Sequence, residues 1–339
     1  MANAPEAQVK AGGSDVVTEL AADILKVEVY LNLDQESTAV IDLVGCYDVK
    51  NHGIRPEVKA AVIPGNKVEI FMGYAGTRSQ VFSGYADVVE LEAGEQDYVL
   101  RIMACDVVKL MKDNRRCRIF KEQSCSDVFS AVLGDYSGLC SVKVDDTTAM
   151  DAVRAWHQDG SDYDFINQDL VRENGEDRDF YVSLGTAYYV EKGDSSAAVS
   201  LTPDSGIIHF CASMGYLSRT VKVQGCSGDF ACYGGHALAE ASWKGTFPGT
   251  GTEMLLIPAA DTQDKAQACA DRRAGELADR AVTVKLTLPG NQALLAGEYV
   301  ALDEFDTEIN GTYRMEQAVH RMDGEGYRTE IVLSGRGKG

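Results

Sequence analysis

The sequence lacks several things that would have pointed to a membrane, a nucleic acid or an active site. No run approaches the roughly 18 consecutive apolar residues of a membrane-crossing helix. The first residues, Met1 to Ser14, have neither the basic nor the apolar region of a secretory signal. They read as a disordered arm or a short docking strand. Basic residues are scarce: 32 Lys and Arg face 52 Asp and Glu, for a net charge of −20 and a pI near 4.6. Such a surface does not wrap onto nucleic acid or settle on an anionic membrane. There is no C-x-x-C, and the nine cysteines are odd in number and unpatterned, as expected of reduced thiols in a cytoplasm. Neither a G-x-G-x-x-G after a strand nor a G-x-x-x-x-G-K-[ST] is present, so no nucleotide cradle is expected. The only tryptophans, Trp156 and Trp243, are isolated and form no stacking platform.

Apparent chemistry is thin. Cys226 and Cys232, with His236 beyond them, resemble a metal cluster, but the spacing matches no standard zinc pattern. Cys117 and Cys125 with His157 form a cysteine–histidine set by type only, since nothing places the thiol on an elbow or a helix start. His209 and His320 fall inside strand-like runs and read as core or edge residues. The pairs Asp145-Asp146 and Asp303-Glu304 abut turns and do not signal a glycosidase. No catalytic, cofactor-binding or metal residue is assigned, no cofactor is expected, and the chain is not expected to be an enzyme.

A doubled pattern is present. Gly65-Asn66-Lys67-Val68-Glu69-Ile70, then Gly84-Tyr85, then Tyr98 to Ile102 is echoed about 230 residues later. The echo runs Gly297 to Leu302, then Gly311-Thr312-Tyr313, then Tyr327 to Ile331. Each copy is a glycine turn, a short alternating strand, another turn and a longer alternating strand. The expected fold class is α+β, mainly β: two similar antiparallel β-barrel-like domains flanking a small α+β domain. The expected boundaries are an N-terminal arm (1–26), a first tube-like β-domain (27–108), an α+β insert (109–205) and a second tube-like β-domain (206–339).

Within the insert, Ser124 or Ser126 is expected to cap a helix through Tyr136. Thr147 or Thr148 is expected to open another, with Met150, Val153 and Trp156 on one side, and Asp162 a third, closing at Asn174-Gly175. Gly185 should join two short strands as a hairpin. In the second β-domain, a helix over 261–280 carries Ala266, Ala270, Ala274 and Leu277 along a narrow stripe, which implies close packing on a sheet. The polar, glycine-rich stretch Gly225–Thr252 reads as a loop outside the common barrel, ordered by a partner. On that reading, deleting Ser227 to Gly251 leaves the chain folded.

Several strings, in order, resemble the hub proteins of contractile injection machines, the family of phage late control D proteins, phage baseplate hubs and the N-terminal part of VgrG. They are Gly73-Tyr74 with Val81-Phe82-Ser83-Gly84-Tyr85; Tyr98 to Asp106; Asp162-Tyr163-Asp164-Phe165-Ile166; Leu288-Pro289-Gly290-Asn291 with Leu295 to Val300; and Gly311 to Met315, Val319-His320 and Gly326 to Ile331. Tyr163 stands where that family usually has tryptophan. The resemblance spans about residues 25 to 335. It implies a structural baseplate hub, a symmetry adapter joining a hexameric inner tube to a trimeric spike, made as a homotrimer. Implied partners are the tube protein, a separate spike protein and baseplate wedge proteins. No membrane span and no sequence-specific nucleic acid are implied. The expected location is cytoplasmic on synthesis, then the baseplate of a phage tail or tail-like particle, with acidic charge lining a central channel. The rivals are a tail-associated peptidoglycan or polysaccharide hydrolase, with its carboxylates in the insert, and a carbohydrate-binding tail protein.

Overall fold

The structure, a computed structural model, describes residues 4–94, 97–147, 155–172, 178–191, 196–226, 231–241, 243, 245 and 249–336. The chain is α+β and mainly β. It opens with β1 (Pro5–Ala11), β2 (Ser14–Asp15), β3 (Asp23–Asn32) and β4 (Thr38–Val44). The short β5 (Tyr47–Asp48), β6 (Gly53–Ile54) and α1 (Pro56–Ala61) lead to β7 (Lys67–Tyr74), β8 (Ser79–Ala93) and β9 (Tyr98–Cys105). Apolar residues alternate along these strands: Val27, Val29 and Leu31 of β3, Ala39, Ile41 and Leu43 of β4, and Leu100, Ile102 and Ala104 of β9 all face one core. The N-terminal stretch takes the docking-strand alternative. β1 pairs antiparallel with β7 over Pro5 to Ala11, and Val9, Ala11 and Val16 are fully buried.

An insert follows: α2 (Val107–Asp113), β10 (Arg115–Lys121), α3 (Cys125–Gly134), β11 (Ser141–Val144), β12 (Ala155–Ser161), α4 (Asp162–Phe165) running into a π-turn (Ile166–Arg172), β13 (Arg178–Ser183) and β14 (Thr186–Glu191). Ser124 caps α3 in a reciprocal capping box with Asp127. The β13–β14 hairpin turns at Leu184 and Gly185, both with left-handed φ (47° and 76°), the requirement of a tight two-residue turn. One expectation fails here. Trp156 is not on a helix; it lies in β12, paired with Phe120 of β10. Alternation wins locally, because Trp156 and Gln158 are buried while His157 and Asp159 are exposed. Met150, Val153 and the expected cap at Asn174-Gly175 lie outside the described residues.

The chain then runs through β15 (Val199–Leu201), β16 (His209–Met214), β17 (Ser218–Cys226), β18 (Cys232–Glu240), β19 (Gly251–Leu256), α5 (Gln263–Ala278), β20 (Val282–Pro289), β21 (Tyr299–Leu302), β22 (Gly311–Asp323) and β23 (Gly326–Gly335). The two β-regions meet edge to edge. β22 pairs with β3, so one 13-stranded sheet runs β16-β20-β23-β22-β3-β4-β9-β8-β7-β1-β2, with β15 and β21 attached through β22. A single hydrophobic core, from Val9 to Leu333, lies beneath both regions.

The Gly225–Thr252 stretch corrects the expectation of a loop. Nine of its residues form β18, which pairs with β17 from Ser218↔Glu240 to Cys226↔Cys232, and β19 lies parallel on the other side of β17. Helix α5 covers this three-stranded sheet with Ala266, Cys269, Ala270 and Ala274, forming a separate small core with Val221, Val223 and Ala239. The glycines are there for close approach. A Cβ on Gly235 would stand 2.0 Å from the Ala266 carbonyl oxygen, and one on Gly225 would stand 1.9 Å from that of Ala260. Composition mimicked a loop because small residues let a helix backbone lie almost on a strand backbone. Deleting Ser227 to Gly251 would remove β18 and with it Ala239 of this core, together with Tyr233 and Ala237 packed against it.

Candidate assembly surface

The two copies of the doubled pattern match at the level of individual hydrogen bonds. Gly65 and Gly297 have φ of 95° and 94°, where a side chain would be strained. Gly65 N–H donates to Ala86 (2.7 Å) and Gly297 N–H to Met315 (2.8 Å). In return, Ala86 donates to Asn66 and Met315 to Glu298, both at 2.9 Å. Bulges fall at the equivalent steps, between Ala86 and Val88 in β8 and between Met315 and Gln317 in β22. The strand order β3-β4-β9-β8-β7 in the first copy recurs as β16-β20-β23-β22-β21 in the second. Only the outermost partner differs: β1 lies antiparallel to β7, while β15 lies parallel to β21.

Past its bulge, the outer half of β22 pairs with β3 from Gln317↔Asn32 to Met322↔Val27. This seam joins one copy to the other and buries Val29, Ala318, Val319 and His320. The same two elements elsewhere have no such partner among the described residues. The outer half of β8, Val88 to Ala93, pairs with β9 alone. β16, the equivalent of β3, pairs with β20 alone and ends the sheet. Val88 and Leu91 are each 40 % exposed, and Ile208, just before β16, is 58 % exposed. Unpaired backbone and apolar side chains on two complementary edges form a ready template for another strand.

Ion pairs cross the polar face of the sheet. Arg101 binds Asp42 (2.8 Å), and Arg321 binds both Glu28 (3.3 Å) and Glu330 (2.7 Å), tying β3 to β22 and β23. His320 lies fully buried under the seam, between the Tyr327 hydroxyl on Nδ1 (2.8 Å) and the Leu294 carbonyl on Nε2 (2.9 Å). Burial pulls its pKa down to about 4.

The sequence-level candidates for chemistry scatter or close up. His320 is a core residue, whereas His209 is exposed on the β16 edge. Cys117 sits on β10 opposite Asp159, and Cys125 is buried at the start of α3. Cys226 and Cys232 are brought together, with Sγ atoms 3.5 Å apart. Among the described residues, no group of three or more His, Cys, Asp and Glu is placed to hold a metal ion. Asp162, which the sequence reads only as a helix start, has its carboxylate at zero exposure. It accepts from Arg118 Nη2, the Tyr136 hydroxyl and Gln158 Nε2, each at 2.6 Å. Asn114 in turn donates to the Tyr136 hydroxyl at 2.8 Å. Another buried acid, Asp106, caps α2 through Val108 N–H and receives Ser37 N–H, both at 3.0 Å. Burial raises its pKa to about 7 against those two donors. Both acids are buried among protein groups.

The two open edges are the feature of the surface that sequence reading missed. Each edge strand reads as an ordinary alternating strand, and a missing neighbour leaves no mark on the strand's own pattern. The available signal was the doubling itself, because a repeated unit with one internal seam must leave one seam unfilled.

Solved structures with the same fold cover nearly the whole chain. A tail protein from Neisseria meningitidis MC58 aligns with a TM-score of 0.71 at 12% identity, covering 98% of this chain and 96% of that one. The prophage MuSo2 43 kDa tail protein from Shewanella oneidensis gives 0.69 at 14%, covering 97% and 98%. The E. coli c3393 protein, described as a type VI secretion component structurally similar to T4 tail proteins gp27 and gp5, gives 0.61 at 11%, covering 93% and 74%. At such identities the likeness is one of fold. No curated protein matches the chain in sequence. The family model described as the Alg8 N-terminal domain matches residues 2–232. That stretch is more than half of the chain, which therefore belongs to the Alg8 N-terminal domain family.

Proposed function

We propose that this chain is a structural, non-enzymatic baseplate hub: a homotrimeric symmetry adapter between a hexameric inner tube and a trimeric spike in a phage tail or tail-like injection particle. The observation that carries this reading is the pair of complementary open edges on two like units already joined by one seam. If the β22–β3 seam is repeated between chains, the outer half of β8 takes the β16 of a neighbour. Transferring the internal register by strand equivalence gives Val89 opposite Met214, Glu90 opposite Ser213, Leu91 opposite Ala212 and Glu92 opposite Cys211 of the next copy. Three chains then contribute six like units, and cyclic closure pairs every outer β8 edge with a β16 edge. The fold shared with tail proteins of Neisseria and Shewanella and with a type VI secretion component supports the same reading. In this reading the inner tube, a spike, which need not be a separate chain, and the baseplate wedges are the partners.

The hydrolase alternative gains no support from the most buried carboxylate of the insert. That carboxylate, Asp162, is enclosed by Arg118, Tyr136 and Gln158 instead of facing a cleft.

The register supplies the test. In the assembled protein, Glu92→Cys should crosslink under mild oxidation to the native Cys211 of a neighbour, giving linked dimers and closed trimers on a non-reducing gel. Adding Cys211→Ser should abolish them. Assembled material that stays uncrosslinked would overturn the proposed seam.

A further inference from the structure

The β17–β18 hairpin ends on a cysteine pair that the assembly reading leaves unused. Cys226 and Cys232 are directly opposed at the last position of this antiparallel ladder, with their Sγ atoms 3.5 Å apart. Opposed residues in an antiparallel pair hold their Cα atoms about 4.5–5.5 Å apart, inside the window of about 4.4–6.8 Å that a disulfide spans. Bond formation therefore asks for side-chain rotation, and the strands need not move. Cys232 is exposed and Cys226 half-buried, so a small solute reaches the pair.

No other ladder of the described strands sets cysteine against cysteine. Cys105 faces Thr38 and Tyr85, Cys117 faces Asp159, and Cys211 faces Lys285. Burial pushes the thiols of Cys46, Cys105 and Cys140 up to about 11, which keeps them protonated and slow to react.

We propose that Cys226 and Cys232 are a reversible redox pair that closes the end of the β17–β18 ladder by exchange with a small-molecule disulfide such as oxidised glutathione. The Cys232 thiolate attacks one glutathione sulfur, forms a mixed disulfide and expels one glutathione thiolate. The Cys226 thiolate then attacks the Cys232 sulfur and expels the second. The two protein thiols lose two protons and two electrons, and the small disulfide becomes two thiols. The pair stays open while the chain is made among reducing thiols. It closes once the chain meets an oxidising solution, locking the last pair of the β17–β18 ladder that α5 covers.

Trypsin is expected to release residues 223–244 as one peptide carrying both cysteines, between Lys222 and Lys244. The full chain is equilibrated at rising ratios of oxidised to reduced glutathione, quenched in acid, alkylated while denatured and digested. The expected result is a 223–244 peptide two hydrogens lighter and free of alkyl groups, appearing at a lower ratio than any change in the other cysteines. In Cys226→Ser the same treatment should leave a stable glutathione adduct on Cys232. A wild-type peptide that stays doubly alkylated, that accumulates glutathione, or that links to a second chain would overturn the proposal.

Discussion

Asp162 sits at zero exposure with a guanidinium, a phenol and an amide donating to its carboxylate. Its role is to hold β10, β12, α3 and the start of α4 in one arrangement. Removing the carboxylate leaves the Tyr136 hydroxyl and the Gln158 amide without their buried acceptor and weakens the hold on Arg118, which keeps Asp135, a loss of about 3 kcal/mol. Asp162→Ala should therefore lower unfolding stability by about that much, whereas substitution of the half-exposed Asp135 should cost far less; urea titration of each variant checks this. His320 makes a different prediction. Its folded-state pKa of about 4 lies below the ordinary histidine value of 6.5, so the unfolded chain takes up the proton first. The neutral histidine's contribution is present above about 6.5 and is lost as pH falls toward 4. Between about pH 7.5 and about pH 5 this loss is on the order of 2 kcal/mol. Asp106, raised to about 7, works in the opposite direction, gaining stability as pH falls through the same range. It is common to both proteins and drops out of a difference measurement. His320→Gln should be less stable throughout but should lose that share of the pH slope, as read from paired denaturation curves at the two pH values.

At the scale of elements, α5 and the sheet beneath it test the reading of the glycine-rich stretch. Gly235→Val would drive a side chain into the Ala266 backbone, where a Cβ alone would come within 2.0 Å. The cost should reach the upper end of the ~1–3 kcal/mol typical of overpacking. Limited proteolysis should then cut within β17 to α5 while the 13-stranded sheet stays protected. Cleavage spread evenly over the chain would show that the two are one cooperative unit.

Much of this level was legible beforehand. The alanine stripe on α5, the Ser124 cap and the Gly185 hairpin each follow from a local rule and appear where that rule puts them. What was not legible depends on neighbours distant in sequence. Trp156 looked helical until β10 supplied the strand it pairs with. Gly225 to Thr252 looked like a loop because the helix that needs its glycines lies further along the chain. The continuation of the sheet from β3 to β22 joins residues nearly 300 positions apart, and nothing in either strand announces it.

At the scale of the whole molecule, the chain is built by repetition. One seam inside the chain, two equivalent units and two complementary edges left open are what the proposed ring is built from. An acidic channel belongs to the same proposal, with a restriction. The ion pairs Arg101–Asp42 and Arg321–Glu28–Glu330 set two arginines against three carboxylates, so most of any acidity facing the axis must come from other surfaces. A ring with a neutral channel would remove that part of the proposal and leave the seam intact. The most direct measurement is the stoichiometry of the assembled state by native mass spectrometry, with the spike and tube proteins present. The account predicts an assembly holding three copies of the 36.7 kDa chain, and a stable monomer or dimer in assembled particles would contradict it.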